Sequence, residues 1–145
     1  MRIAPNRNGV IDADEFVAAV DENTFLASCM YVNNETGAIN PVKKIFTAIK
    51  RTYPECITHC DCVQAFMKLP IKTAALMADC VVVSGHKVNA LKGVGALYVR
   101  NGIRIAPLIC GGGQEKGFRS GTESVPLIAG FGAAVKSMLP TMSTA

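Results

Sequence analysis

Apolar positions along the chain keep a helical rhythm in some stretches and fuse into short unbroken runs in others. Asp12 is a candidate N-cap, Glu15 completes a capping box, and Ile11 and Phe16 occupy the two positions of a hydrophobic staple, which predicts a helix from about Ala13 to Val20. Phe25 to Val32 is a continuous apolar run between polar residues, the pattern of a strand buried on both faces. Asn33-Asn34-Glu35-Thr36-Gly37 reads as a loop, and Asn40 with Pro41 behind it as a helix cap and first helical position. Val42, Ile45, Phe46 and Ile49 then recur at helical spacing, with Lys43, Lys44, Lys50 and Arg51 on the other side. A second strand is expected over Glu55–Asp61, a short helix near Thr73–Met77, and a third strand over Asp79–Ser84. Beyond Gly93-Val94-Gly95, Ala96–Val99 is a fourth strand, Asn101-Gly102 a tight turn, and Ile103–Ile109 a further strand. Gly111-Gly112-Gly113 opens a polar loop that runs through Thr122. A last helix starts near Ser124, carries Leu127, Ile128, Phe131, Val135 and Met138 at helical spacing, and is expected to end at Pro140. Strands alternating with helices predict an α/β fold with a mixed, mostly parallel sheet and helices on both faces. In such sheets ligands collect beyond the carboxyl ends of the strands.

Composition narrows the function classes. A chain of 145 residues, half hydrophobic and 18% charged, can bury one core and is not a disordered tail. The net charge of +4 favours anions only weakly, and no basic run with interleaved aromatics points to nucleic acid. No apolar stretch approaches the length of a membrane span, and Met1-Arg2-Ile3-Ala4-Pro5-Asn6 has no apolar signal region. Cys29, Cys56, Cys60, Cys62, Cys80 and Cys110 fall mostly in apolar runs, which suggests buried free thiols in a reducing, cytoplasmic setting.

Two metal patterns fail on their own terms. Asn6, Asn8, Gly9, Ile11 and Glu15 imitate a calcium loop, but Ala4 stands at the first ligand position and no helix precedes it. Cys56, Cys60, Cys62 and His59 lack a second ligand cluster, and strand alternation separates His59 and Asp61 from Cys60 and Cys62. No metal site is assigned.

The chemistry lies at the strand ends. Lys87 follows the apolar run Cys80-Val81-Val82-Val83, where partial removal from water would free a neutral amine to attack a carbonyl. Taken alone, it also reads as an ordinary surface lysine. Ser84 and His86 beside it suit a phosphate. Asp61 closes the second strand, with Gln64 just beyond; it is a turn residue on the plainer reading. A lysine that forms a Schiff base, paired with an aspartate on a pyridine nitrogen, is a combination that suits pyridoxal phosphate. His59 shares a strand face with Asp61 and either orients it or is a satisfied core histidine.

These segments together resemble the cysteine desulfurase and selenocysteine lyase family of class V aminotransferases. The matching stretches are Val32-Asn33-Asn34-Glu35-Thr36-Gly37, His59-Cys60-Asp61-Cys62-Val63-Gln64-Ala65, Ser84-Gly85-His86-Lys87, Lys92 to Val99, and Gly111 to Thr122. The resemblance covers nearly the whole chain. It implies part of a fold type I pyridoxal-phosphate transferase large domain over residues 1–145, with Lys87 in a Schiff base to the cofactor. It further implies Asp61 at the pyridine nitrogen, Asn34 and Gln64 near the phenolic oxygen, and Ser84 and His86 at the phosphate. Thr122 would reach the phosphate of a partner subunit, which implies a homodimer. The implied reaction converts L-cysteine to L-alanine and passes sulfur to an acceptor or scaffold protein for iron–sulfur cluster or thio-cofactor synthesis.

The sequence also departs from that family. It lacks the segment with the ring-stacking histidine and phosphate-binding threonine, and the one with the persulfide cysteine and substrate-binding arginine. Ala90-Leu91 stands where many relatives have Gly-Pro, and Cys110 where many have histidine. The expectation is a central fragment that binds pyridoxal phosphate weakly and does not turn over alone. Another class V enzyme, an aminotransferase or selenocysteine lyase, and a non-catalytic remnant are the alternatives.

Overall fold

A computed structural model describes residues 1–142. The elements follow in the order α1 (Ala13–Ala18), β1 (Leu26–Met30), α2 (Val42–Thr52), β2 (Ile57–Asp61), α3 (Thr73–Leu76), β3 (Cys80–Ser84), β4 (Gly95–Val99) and α4 (Val125–Met142). The strands form one sheet in the order β1-β2-β3-β4. β1, β2 and β3 run parallel, and β4 returns antiparallel to β3. The expected class, α/β with a mixed and mostly parallel sheet, is the one observed.

One face of the sheet carries the core. Ala27 and Cys29 pair with Thr58 and Cys60, and Cys60 with Val81, so alternation sends all five to the same side. They pack with Val42, Ile45, Phe46 and Ile49 of α2, Ala13 of α1 and Leu76 of α3. Each fully buried aliphatic or aromatic side chain contributes roughly 1.5–3 kcal/mol. The opposite face bears Leu26, Ser28, Met30, His59, Asp61, Val82 and Leu97, and both Leu26 and Leu97 are about half exposed, at 49% and 53%. β1 is therefore covered on one face only, and its burial alternates along the strand. The apolar run that suggested two covered faces marks a strand whose second face meets no helix among α1, α2 and α3.

Local chemistry explains most boundaries. Asp12 caps α1 by accepting from the Asp14 and Glu15 N–H groups, each at 2.9 Å. Asn40 does not cap α2, for which Pro41 stands at the cap position without a side-chain bond. Its buried amide instead accepts from Ile11 N–H and donates to Met30 C=O at 2.8 Å, tying the end of β1 to the segment before α1. Asn101-Gly102 makes the expected turn, with Gly102 at φ +92°. Ile103–Ile109 forms no strand. Pro140 lies inside α4, which continues to Met142. Phe131 of α4 meets Phe66 edge-on at 6.0 Å between ring centroids.

Below the sheet, Asp79 anchors the three-strand end opposite the candidate site. It is 1% exposed and accepts from the Thr58 N–H, the Arg100 guanidinium at 2.6 Å and the Lys50 ammonium. At the other end, Gly95 pairs with Ser84, and a Cβ there would lie 2.6 Å from the Val83 carbonyl oxygen. Gly95→Ala is therefore expected to cost about 1–3 kcal/mol by forcing β3 and β4 apart. Thermal unfolding measures this, and an unchanged midpoint would contradict the close approach.

Candidate active site

The topology collects the sequence-predicted residues at the carboxyl ends of parallel strands. Asp61 is the last residue of β2 and pairs with Val82, two residues before Ser84 closes β3. Gly85–Lys87 then forms a single 3₁₀ turn. Gly85 is buried, and a Cβ on it would meet Val94 Cγ1 at 2.9 Å, so only glycine lets the chain turn this tightly against the β4 lead-in. The turn places a hydroxyl, an imidazole and an amine within four consecutive residues. Ser84 Oγ and His86 Nδ1 share a hydrogen bond at 2.8 Å. Lys87 is exposed, so the described residues do not provide the removal from water expected for its amine.

Asp61 is half-buried, and its Oδ1 accepts from Val63 N–H at 2.9 Å, which orders the first step beyond β2. Gln64 is half-buried in the turn that follows. Asn34 is exposed in the turn after β1, while its neighbour Asn33 organises that turn by accepting from Glu35 N–H and Thr36 N–H. Thr122 is exposed in the loop before α4, and no hydrogen bond links it to the other site residues among the described ones. Within this loop, Gly113 N–H donates to Ser120 Oγ and Gly121 N–H to Gln114 Oε1.

His59 lies on the same open face as Asp61, as alternation predicts, and Ser28 Oγ lies 2.8 Å from its Nδ1 across the β1–β2 rung. Burial pushes the His59 pKa down, partly opposed by the Asp61 charge. Ser28 was not singled out by sequence reasoning, because a serine inside an apolar run gives no signal until strand register is known. Asn33 did have one, since an asparagine opening a turn that closes on glycine is a typical side-chain-to-backbone turn residue.

The thiols play no visible part in this arrangement. Cys29, Cys56, Cys60, Cys62 and Cys80 are buried and free, and Cys110 is exposed. Cys60 and Cys62 meet at 3.5 Å on the core side, and this contact together with burial pushes the Cys60 thiol up. Burial pushes Cys29 to about 11. The Cys29 and Cys60 thiols therefore stay protonated near neutrality and are poor nucleophiles.

The family model Aminotransferase class-V covers residues 1–144 of the chain. The chain belongs to the class V aminotransferase family. Within it, the chain is 44% identical to a cysteine desulfurase of Nostoc sp. over 143 residues, covering 99% of this chain and 35% of that protein. It is 45% identical to the cysteine desulfurase IscS of Rickettsia rickettsii over 131 residues, covering 89% of this chain and 32% of that protein. Among solved structures, a NifS-like protein superimposes with a TM-score of 0.94 at 40% identity, covering 99% of this chain and 40% of its own. SspA in complex with cysteine gives 0.89 at 40% identity, covering 94% and 39%. The chain thus spans about a third of the length of the curated relatives it matches. No helix among the described residues is long and apolar enough to cross a membrane.

Proposed function

We propose that this chain is the central part of the cofactor-binding domain of a cytoplasmic, homodimeric, pyridoxal-phosphate-dependent cysteine desulfurase. The enzyme would convert L-cysteine to L-alanine and pass the sulfur to an acceptor protein. The observation that carries this reading is the placement of Asp61 and the Ser84–Lys87 turn at the ends of neighbouring parallel strands, within a chain so similar to cysteine desulfurases.

The residues fit the cofactor by charge and donor type. Asp61 suits a protonated pyridine nitrogen, with Oδ1 steadied by Val63 N–H. The Ser84–His86 pair suits a phosphate, because hydroxyl and imidazole already lie together beside the buried Gly85. Asn34 and Gln64, in the turns after β1 and β2, supply neutral amides for the phenolic oxygen. The exposed Lys87 amine can reach an aldehyde and then hold or return a proton at the substrate Cα. Thr122 would serve the phosphate of the partner subunit. When bound, pyridoxal phosphate supplies an electron sink for the negative charge that develops on the substrate.

The test is product analysis on the protein expressed from its complete reading frame and loaded with pyridoxal phosphate. L-cysteine and a thiol reductant should give L-alanine and sulfide in equal amounts. Transfer of the amino group to a 2-oxo acid, without alanine or sulfide, would replace desulfuration with transamination.

A further inference from the structure

His59 has no task in the function just proposed, yet it is the half-buried titratable group nearest Asp61 along β2. Same-face neighbours two residues apart in a strand stand roughly 6.6 Å apart at Cα, so an imidazole ring can span to a carboxylate. The Asp61 charge does act on the ring, opposing the effect of burial. The ring is also held from the other side, since Ser28 is its cross-strand partner and Ser28 Oγ lies 2.8 Å from Nδ1. Asp61 itself has one oxygen committed, Oδ1 to Val63 N–H. Among the described residues no side chain donates to its second oxygen, which stays open to a further donor.

We propose that Ser28 and His59 form a positioning pair for Asp61: the Ser28 hydroxyl donates to His59 Nδ1, which leaves the ring proton on Nε2 as a donor toward the Asp61 carboxylate. This rests on the reading of Asp61 as the partner of the cofactor's ring nitrogen. The tautomer decides the matter. A neutral imidazole has one donor and one acceptor nitrogen. With Ser28 donating, Nε2 carries the proton and attracts a carboxylate. With Ser28 accepting, Nε2 presents a lone pair and repels it. His59 does not touch the cofactor in this scheme and acts only through Asp61. The groups around the ring are few: β1 presents Ser28, β2 itself contributes Asp61, and β3 presents Cys80 as the register partner. Asp61 is the carboxylate among them.

The chain has two histidines, so their ring nitrogens are readily assigned by NMR, with His86 as the internal reference. Above its titration, His59 should be the Nε2–H tautomer, and Ser28→Ala should mix the two tautomers. Asp61→Asn should lower the His59 midpoint by about half a pH unit or more, because a charge favouring the imidazolium is gone. With pyridoxal phosphate bound, His59→Phe should shift the pH profile of the cofactor's absorbance. His59→Gln, whose amide places a donor near Nε2, should restore it. An Nδ1–H tautomer, or a His59 midpoint unmoved by Asp61→Asn, overturns the pair. These NMR readouts need no cofactor, so the two readings fail separately. Absent coupling with Lys87 still reactive toward the cofactor removes the positioning pair alone, and coupling without that reactivity removes the cofactor reading alone.

Discussion

Asp79→Ala is expected to destabilise the fold by about 3–5 kcal/mol, the cost of leaving a buried ion partner uncompensated. Against a typical total of about 5–15 kcal/mol, this is a large fraction of the stability of a domain. The Asp79 carboxylate joins Lys50 of α2, Thr58 on β2 and Arg100 after β4, so one side chain ties the helix to two parts of the sheet. Lys50 also donates to the Pro54 and Cys56 carbonyls, and its side chain is only 11% exposed, so water cannot easily replace the lost carboxylate. Arg100 lies half in solvent and contributes less. Asp79→Asn keeps an acceptor for Thr58 but loses the charge, and should fall between wild type and alanine. Urea denaturation measures all three, and a loss under about 1 kcal/mol for alanine would contradict the network's role.

The same carboxylate sets an acid limit. Burial alone would raise the Asp79 pKa, but the Lys50 ammonium, the Thr58 N–H and the Arg100 guanidinium outweigh it and hold the group below its ordinary 3.8. A depressed folded-state pKa means the contribution is complete above the unfolded value and is lost as pH falls through the folded one. Stability should therefore drop below about pH 4 in the wild type. Asp79→Asn should show a shallower acid dependence over that range.

Asp61→Ala should weaken pyridoxal-phosphate binding about 10–100-fold, the value of a charge-assisted hydrogen bond of about 1.5–3 kcal/mol. Asp61→Asn retains an acceptor for Val63 N–H, so the turn beyond β2 stays ordered while the charge disappears. Its affinity loss should be nearly as large, which separates electrostatics from a local folding defect. Equilibrium dialysis with the cofactor reads both. Unchanged affinity in the asparagine variant would remove Asp61 from the site.

Much of this was legible from residue order. α2 announced itself because Val42, Ile45, Phe46 and Ile49 repeat at helical spacing, and all four are buried. β2 and β3 were bounded by turn chemistry, and Asp61 and Ser84 sit at their ends as expected. Other features depended on tertiary partners that periodicity does not encode. β1 looked doubly covered because Leu26 and Met30 are apolar, yet their face is open in this chain. Ile103–Ile109 has strand-like composition, but forms no backbone ladder. Asn40 looked like a helix cap, but its side chain found better partners at Ile11 and Met30. Lys87 was placed correctly at a strand end, while its exposure depends on neighbours that sequence order does not specify. Ser28 became visible only through the register that sets it opposite His59.

The turn after β3 is expected to make Lys87 the cofactor-reactive amine. The chain contains other, competing lysines, including exposed Lys43, Lys44 and Lys92. Incubation with pyridoxal phosphate, borohydride reduction and peptide mapping by mass discriminates among them. The expected result is label on Lys87 that Lys87→Ala abolishes, with the other lysines unmodified at low cofactor concentration. Label spread evenly over the surface lysines, or none at all, would contradict it.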